Sequence, residues 1–336
     1  MIKPIVHIGV SALLLAVMSA CGGSDGESTQ VTTKMGALSI GVTDAPIDDA
    51  QQVVVVFTEI ELKPKEGESF TLYYVDENGD PDPQEIDLLA YQNGEAAPLI
   101  QDEEVLAGEY TWMRLGVEAE RGVVDSYIVL EENGAQHSLY VPSGSNTGLK
   151  VNESFIVTAG GNTALTIDFD LRKSVHEPGN NADDYILRPT LRITDNSEVG
   201  DISGYISSSL LLEEESCEIG SEGEAQGLAV YVYTNGNIDV VVDPNDEGSD
   251  NSPLATTIPV YDSVTDQYNY SLAFMLAGDY NVAVTCDADV DDVDVDEPSE
   301  DNPDTPEVEE TWISIADQNA TVNVGETTEV NFEPST

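Results

Sequence analysis

Two stretches of this chain place the same turn before the same kind of strand: LAGEYTWMRLGV at Leu106–Val117 and LAGDYNVAVTC at Leu276–Cys286. In each, apolar strand-forming residues lead in, a Gly is placed to reverse the chain, and a Tyr opens an alternating run. Gly suits the reversal because it lacks the Cβ that restricts other residues. The two stretches read as the same corner in two sandwiches. Helical periodicity is scarce elsewhere, so the expected fold is all-β, two antiparallel β-sandwich domains. With 336 residues the chain is long enough for both.

The first unit is expected over residues 36–198. Leu38, Ile40 and Val42 alternate with small or polar residues until Asp44-Ala45-Pro46 stops the strand. Val53 to Val56 are apolar on both faces, which suits a central strand, and Val54, Val56, Ile60 and Leu62 should keep one face apolar. Phe70 to Val75 and Tyr110 to Val117 read as strands, whereas Glu85 to Tyr91 fits a strand or a short helical turn. Asn133-Gly134 signals a hairpin between Tyr127–Leu130 and Leu139–Val141. A second hairpin is expected around 159–163, between Phe155–Val157 and Leu165–Leu171, and Tyr185–Ile193 closes the set.

The second unit is expected over residues 199–336, opening at Gly200–Ile206. Leu228, Val230 and Val232 should face one way, and Tyr231 and Tyr233 the other. Tyr268, Tyr270, Leu272, Phe274 and Leu276 alternate strictly and lead into Val282, Val284 and Cys286. Thr311–Ile315, Thr321–Val324 and Glu329–Phe332 read as three closing strands. Residues 287–310 form an insertion with 13 acidic and no basic side chains, disordered by composition.

The amino terminus has the pattern of a secretory signal over residues 1–20: Lys3, then an apolar run from Ile5 to Val17. That run is too short for a membrane span. It ends Met18-Ser19-Ala20-Cys21-Gly22, which resembles a bacterial lipobox, with Met18 where Leu is usual. The resemblance implies that Cys21 is acylated and becomes the first mature residue. Each buried methylene of such a chain contributes about 0.8 kcal/mol, and several chains together hold a protein on a bilayer. Residues 21–35 then read as the anchor and a flexible tether. Gly22 in place of Asp is compatible with the outer membrane under lipoprotein sorting rules.

Charge narrows the partners. The formal net charge is −54, from 65 acidic and 11 basic residues, and no Lys, Arg or His follows Arg192. Nucleic acid is excluded as a partner, because phosphate binding needs cations. Such self-repulsion is tolerable in saline surroundings, where screening is short-ranged, or with bound divalent cations. Of three Cys, Cys21 is assigned to the anchor, which leaves Cys217 and Cys286 to pair in an oxidising compartment.

The run GALSIGVTDAP at Gly36–Pro46, the Gly108-Glu109-Tyr110 corner, FIVTAGGNTALTIDFDLRKSV at Phe155–Val175 and YILRPTLRI at Tyr185–Ile193 occur in order. Together they resemble a bacterial lipoprotein family known as a domain of unknown function (DUF 4382). That family implies a fold and no chemistry. The second half is similar, more weakly, to transthyretin-like or carboxypeptidase-regulatory-like sandwiches, which are accessory modules.

Two acidic groups are candidate calcium ligands. Asp168 and Asp170 share a strand face and could meet Asp44 at a sandwich end; alternatively Asp44 caps a turn and the pair faces Arg172 or Arg188. Asp287, Asp289 and Asp291 have the Asp-x-Asp step of calcium loops, but the positions that would need Gly and Glu in an EF-hand hold Asp292 and Pro298. No other cofactor is implied. No Gly-x-Ser-x-Gly and no His pair at metal spacing occurs, and His137 and His176 lie outside nucleophile motifs. The expected function is therefore a non-enzymatic, lipid-anchored envelope protein with an envelope protein or glycan as partner. The alternatives are a calcium-responsive adhesion or carbohydrate-binding lipoprotein, and a carboxylate-dependent hydrolase.

Overall fold

The alternating apolar residues become the inner faces of stacked sheets in a computed structural model. It describes residues 5–8, 34–45, 50–91, 94–130, 134–142, 148–176, 184–188, 190–214, 216–221, 223–234, 253–288 and 314–334. The first half carries β1 (Ile5–Ile8), β2 (Met35–Ala45), β3 (Ala50–Pro64), β4 (Phe70–Val75), β5 (Gln84–Asp87), β6 (Ala97–Leu106), β7 (Gly108–Glu118), β8 (Tyr127–Leu130), β9 (Gln136–Tyr140), β10 (Leu149–Val151), β11 (Phe155–Val157), β12 (Asn162–Asp170), β13 (Val175–His176), β14 (Asp184–Leu187) and β15 (Leu191–Asp195). The second carries β16 (Val199–Ser207), β17 (Ala229–Thr234), β18 (Ala255–Thr257), β19 (Val260–Asp262), β20 (Gln267–Leu276), β21 (Gly278–Thr285), β22 (Ser314–Val322) and β23 (Thr327–Glu329). Among the described residues helix is confined to single turns at Leu88–Ala90, Leu171–Ser174 and Ser208–Leu211.

In the first half a large sheet built on β3 and β7 faces the four-stranded sheet β15-β12-β2-β6. Leu38, Ile40 and Val42 from β2 meet Phe57, Ile60, Leu62, Met113 and Leu115 from the large sheet in one buried cluster. Each fully buried aliphatic or aromatic side chain of this kind contributes about 1.5–3 kcal/mol. In the second half β19-β20-β16-β23 faces β18-β17-β21-β22, and the core runs from Ile202 to Phe332. The all-β sandwich architecture is as the alternation predicts. Among the described residues three strand pairs are parallel: β2 with β12, β9 with β14, and β16 with β23. The backbone of Ile5–Ile8 pairs with β4.

The halves share one strand plan. The opening strand, β2 or β16, lies between an antiparallel neighbour, β6 or β20, and a parallel closing strand, β12 or β23. The next strand, β3 or β17, crosses to the other sheet and pairs with β7 or β21. The corner then carries β6 into β7 and β20 into β21. The strand before the closing one pairs with the corner strand in matching register, Val157 opposite Gly108 and Val322 opposite Gly278.

Two expected alternations fail, and β-bulges explain both. The register of β3 against β7 slips between Phe57 and Glu59. A one-residue insertion moves all following side chains to the other face. Val53, Val55 and Phe57 therefore share the core with Ile60 and Leu62, while buried Val54 lies outside that cluster. In β20, Tyr268, Tyr270 and Leu272 are buried, and Phe274 then takes φ 55°. Met275 thereby takes the core side at 0% exposure, and Leu276 is 42% exposed.

Other expectations are corrected by sheet membership. The turn at 159–163 is a crossover and not a hairpin: β11 pairs with β7, whereas β12 pairs with β2 and β15. Tyr185–Ile193 is divided between β14 and β15, in different sheets. Glu85–Tyr91 is both of its alternatives in succession, β5 and then a 3-10 turn. The described part of the expected strand at Thr311–Ile315, from Ser314 on, and the start of the one at Thr321–Val324 are joined in β22, whose exposed middle, Asp317 to Asn319, carries no apolar alternation; residues 311–313 lie outside the described residues.

Candidate functional site

The structure brings one expected pair together. Cys217 and Cys286 form a disulfide with Cα atoms 5.2 Å apart, closing a loop of sequence separation 69. Cys286 directly follows the corner strand β21 and lies in the core, and Cys217 packs against the same core. Cys21 lies outside the described residues.

The acidic candidates fall in both halves of the chain. Asp168 on β12 stands opposite Arg192 on β15, and Arg192 Nη2 donates to its carboxylate at 2.7 Å. The backbone of Asp44 is in register with Phe169, one step away from both Asp168 and Asp170. Asp287 belongs to the second half, where its N–H donates to Thr285 Oγ1 at 3.0 Å. The next residue, Ala288, is buried and donates to the Gly227 carbonyl, so the acidic insertion begins on an ordered step. Asp289 and Asp291 lie outside the described residues. Among the described residues no group of three or more His, Cys, Asp or Glu is arranged to hold a metal ion. The His137 ring packs against Tyr185 with centroids 5.5 Å apart.

Among the described residues three carboxylates are held below their ordinary range by local contacts. The N–H groups of Asp80 and Asn78, together with the Asn78 amide, stabilise ionised Asp76. The Val264 N–H and the Thr265 hydroxyl do so for Asp262. For Asp184 the causes are the Ser138 hydroxyl and then Arg121. The first two are turn caps, and the third ties β14 to β9 and to the loop after β7.

The solvent side of the large sheet holds a group that the sequence reading did not single out. Buried Ile60 and Leu62, Met113 and Leu115, and Leu149 and Val151 fix the inner side of β3, β7 and β10. Side chains alternate along a strand, so Glu61, Lys63, Trp112, Arg114 and Lys150 fall on the outer side. Across the strands Lys63 is opposite Trp112, and Glu61, Arg114 and Lys150 form one row. Arg114 pairs with Glu61, and Lys150 Nζ sits 4.6 Å over the centroid of the Trp112 ring. Beside this row Lys65 pairs with Glu109 at 2.6 Å. The legible signal was the Glu61-x-Lys63-x-Lys65 alternation beside Trp112-x-Arg114.

Comparison with known proteins adds a family and little else. No curated protein matches the chain. Among solved structures, the TIE protein of Bacillus anthracis aligns at 8% identity and TM-score 0.16, covering 89% of this chain and 34% of that one. A fimbrial protein from Bacteroides ovatus aligns at 8% identity and TM-score 0.20, covering 90% of this chain and 49% of that one. This chain thus spans about a third and about half of their lengths. The minor pilin GBS52 of Streptococcus agalactiae aligns at 10% identity and TM-score 0.16, covering 89% and 98%. TM-scores this low carry no functional argument. Residues 35–189 match the family described as "Domain of unknown function (DUF4382)", which places a domain of that family in the first half of the chain.

Proposed function

We propose that the protein is an exported, lipid-anchored component of the bacterial envelope that presents two β-sandwiches, divided near residues 198 and 199, as a non-enzymatic binding or structural module. The observation that carries this reading is the Cys217–Cys286 disulfide. Such bonds form and persist in oxidising compartments, which agrees with the export signal read at residues 1–20. Cys21 supplies the anchor and residues 22–35 the tether. The carboxylates with lowered pKa serve as turn caps or strand ties, which favours a scaffold over a reacting centre.

Fractionation of cells expressing the protein and its Cys21→Ser variant tests the reading. The unchanged protein should sediment with membranes and incorporate labelled fatty acid, and the variant should do neither. Recovery of the variant in the membrane pellet would remove the anchor from the proposal.

A further inference from the structure

We propose that the solvent face of the large sheet, centred on Trp112 with Lys63 and Lys150, binds a uronate-bearing polysaccharide. This rests on the envelope reading above, since an exported surface meets such polymers.

The argument starts from scarcity. Acidic residues outnumber basic ones 65 to 11. Against that excess, Lys63, Lys65, Arg114 and Lys150 stand on or beside one sheet face. Two are neutralised locally, Arg114 by Glu61 and Lys65 by Glu109. Lys63 donates to the Gly67 carbonyl, and Lys150 lies over an indole. Among the described residues neither of these two ammonium groups has a carboxylate partner. They rise from β3 and β10, on either side of β7, about 10 Å apart at two strand spacings.

Trp112 lies between those strands, on β7. The Lys150 ammonium covers one face of its ring, so a sugar that stacks there displaces that ammonium and meets it at the ring edge. A flat aromatic face offered by a sheet stacks on the apolar face of a pyranose ring. Ammonium groups beside it meet carboxylates. A uronate sugar carries both features on one residue. An acidic peptide would supply the anions without a ring to cover the indole.

The body charge opposes approach of any polyanion at long range. At about 0.15 M salt the screening length is about 8 Å, so a bound chain feels mainly the groups on this face.

Calorimetric titration of the full-length protein in detergent with polygalacturonate, dextran and poly-glutamate tests the assignment. Polygalacturonate should bind and dextran should not. The double variant Lys63→Gln/Lys150→Gln, at two positions outside the buried core, should weaken binding at least tenfold. Trp112→Ala should weaken it as well, and Lys34→Gln, off the face, should leave it unchanged. No binding of polygalacturonate, equal binding of poly-glutamate, or unchanged affinity in the double variant would overturn the proposal. None of these results would alter membrane attachment through Cys21, so the envelope reading stands or falls separately.

Discussion

The Tyr110 hydroxyl donates to the Leu106 carbonyl, four residues earlier, at 2.7 Å. The Tyr280 hydroxyl makes the same bond to Leu276 at the same distance. Each bond spans the corner and ties the strand on one sheet to the strand on the other. The match extends around each corner. Gly160 N–H donates to the Met35 carbonyl at 2.8 Å, and Gly325 N–H to Val199 at 2.7 Å. Both glycines have positive φ, 68° and 70°. A Cβ on Gly36 would lie 2.3 Å from the Thr158 carbonyl oxygen, and one on Gly200 2.2 Å from that of Asn323.

Tyr110→Phe and Tyr280→Phe should each therefore cost about 0.5–1.5 kcal/mol, the net worth of one such hydrogen bond. The sites lie in separate cores. Their effects should add within about 0.5 kcal/mol in the double variant. Denaturant unfolding of the three proteins checks this. A neutral Tyr110→Phe would mean that the bond contributes nothing at the corner.

Much of this plan was legible in the sequence. The repeated Leu-Ala-Gly-acid-Tyr run marks both corners, and Leu228 to Tyr233 sorts onto two faces as its alternation predicts. Failures fall where alternation breaks. Asp102 and Phe274 take positive φ in the strands leading into the two corners, and neither is a Gly that would announce it. Their N–H groups are instead received by Ser39 Oγ and Asp201 Oδ1 from the opening strands. A bulge held by a side chain several tens of residues away leaves no local signature. The outer face at Trp112 escaped for a related reason. Its members come from three strands, and only the register assembles them.

Burial at the corner also predicts a pH dependence. Desolvation pushes the Tyr110 phenol up to about 12, from an ordinary 10.0. A group that ionises later in the folded state stabilises it fully below the unfolded value. That stability is lost as pH rises from about 10 through about 12. Tyr280 is shifted the same way by burial, with Arg192 opposing. Denaturant midpoints should be level just below pH 10 and fall above it. Tyr110→Phe should fall less steeply across the same window, and a parallel fall in both proteins would contradict the assignment.

The Cys217–Cys286 bond constrains the unfolded chain. A loop of sequence separation 69 is worth roughly 4 kcal/mol in the chain-entropy treatment. Reduction, or Cys217→Ala/Cys286→Ala, should lower the melting transition of the second half by on the order of 10 °C. The first half, whose core contains neither Cys, should melt unchanged. Calorimetric scans with and without reductant resolve the two cases, and an unshifted scan would show that the bond carries no stability.

Closure of the second sandwich depends on a backbone approach that only Gly permits. A Cβ on Gly204 of β16 would lie 1.7 Å from the Val330 carbonyl oxygen, inside contact distance with the chain leaving β23. That oxygen also accepts from the Tyr270 hydroxyl at 2.7 Å, and Val330 N–H donates to Ser203. The segment is therefore held from two sides and cannot retreat without breaking one of these bonds. Gly278 differs, since its nearest neighbour would be the Tyr280 ring at 3.8 Å. Gly204→Ala should destabilise by about 3 kcal/mol, at the upper end of overpacking costs, and Gly278→Ala by about 1 kcal/mol or less. Denaturation midpoints measure both. Amide exchange at Val330 and Phe332 should quicken in Gly204→Ala alone, and equal effects of the two substitutions would refute the account.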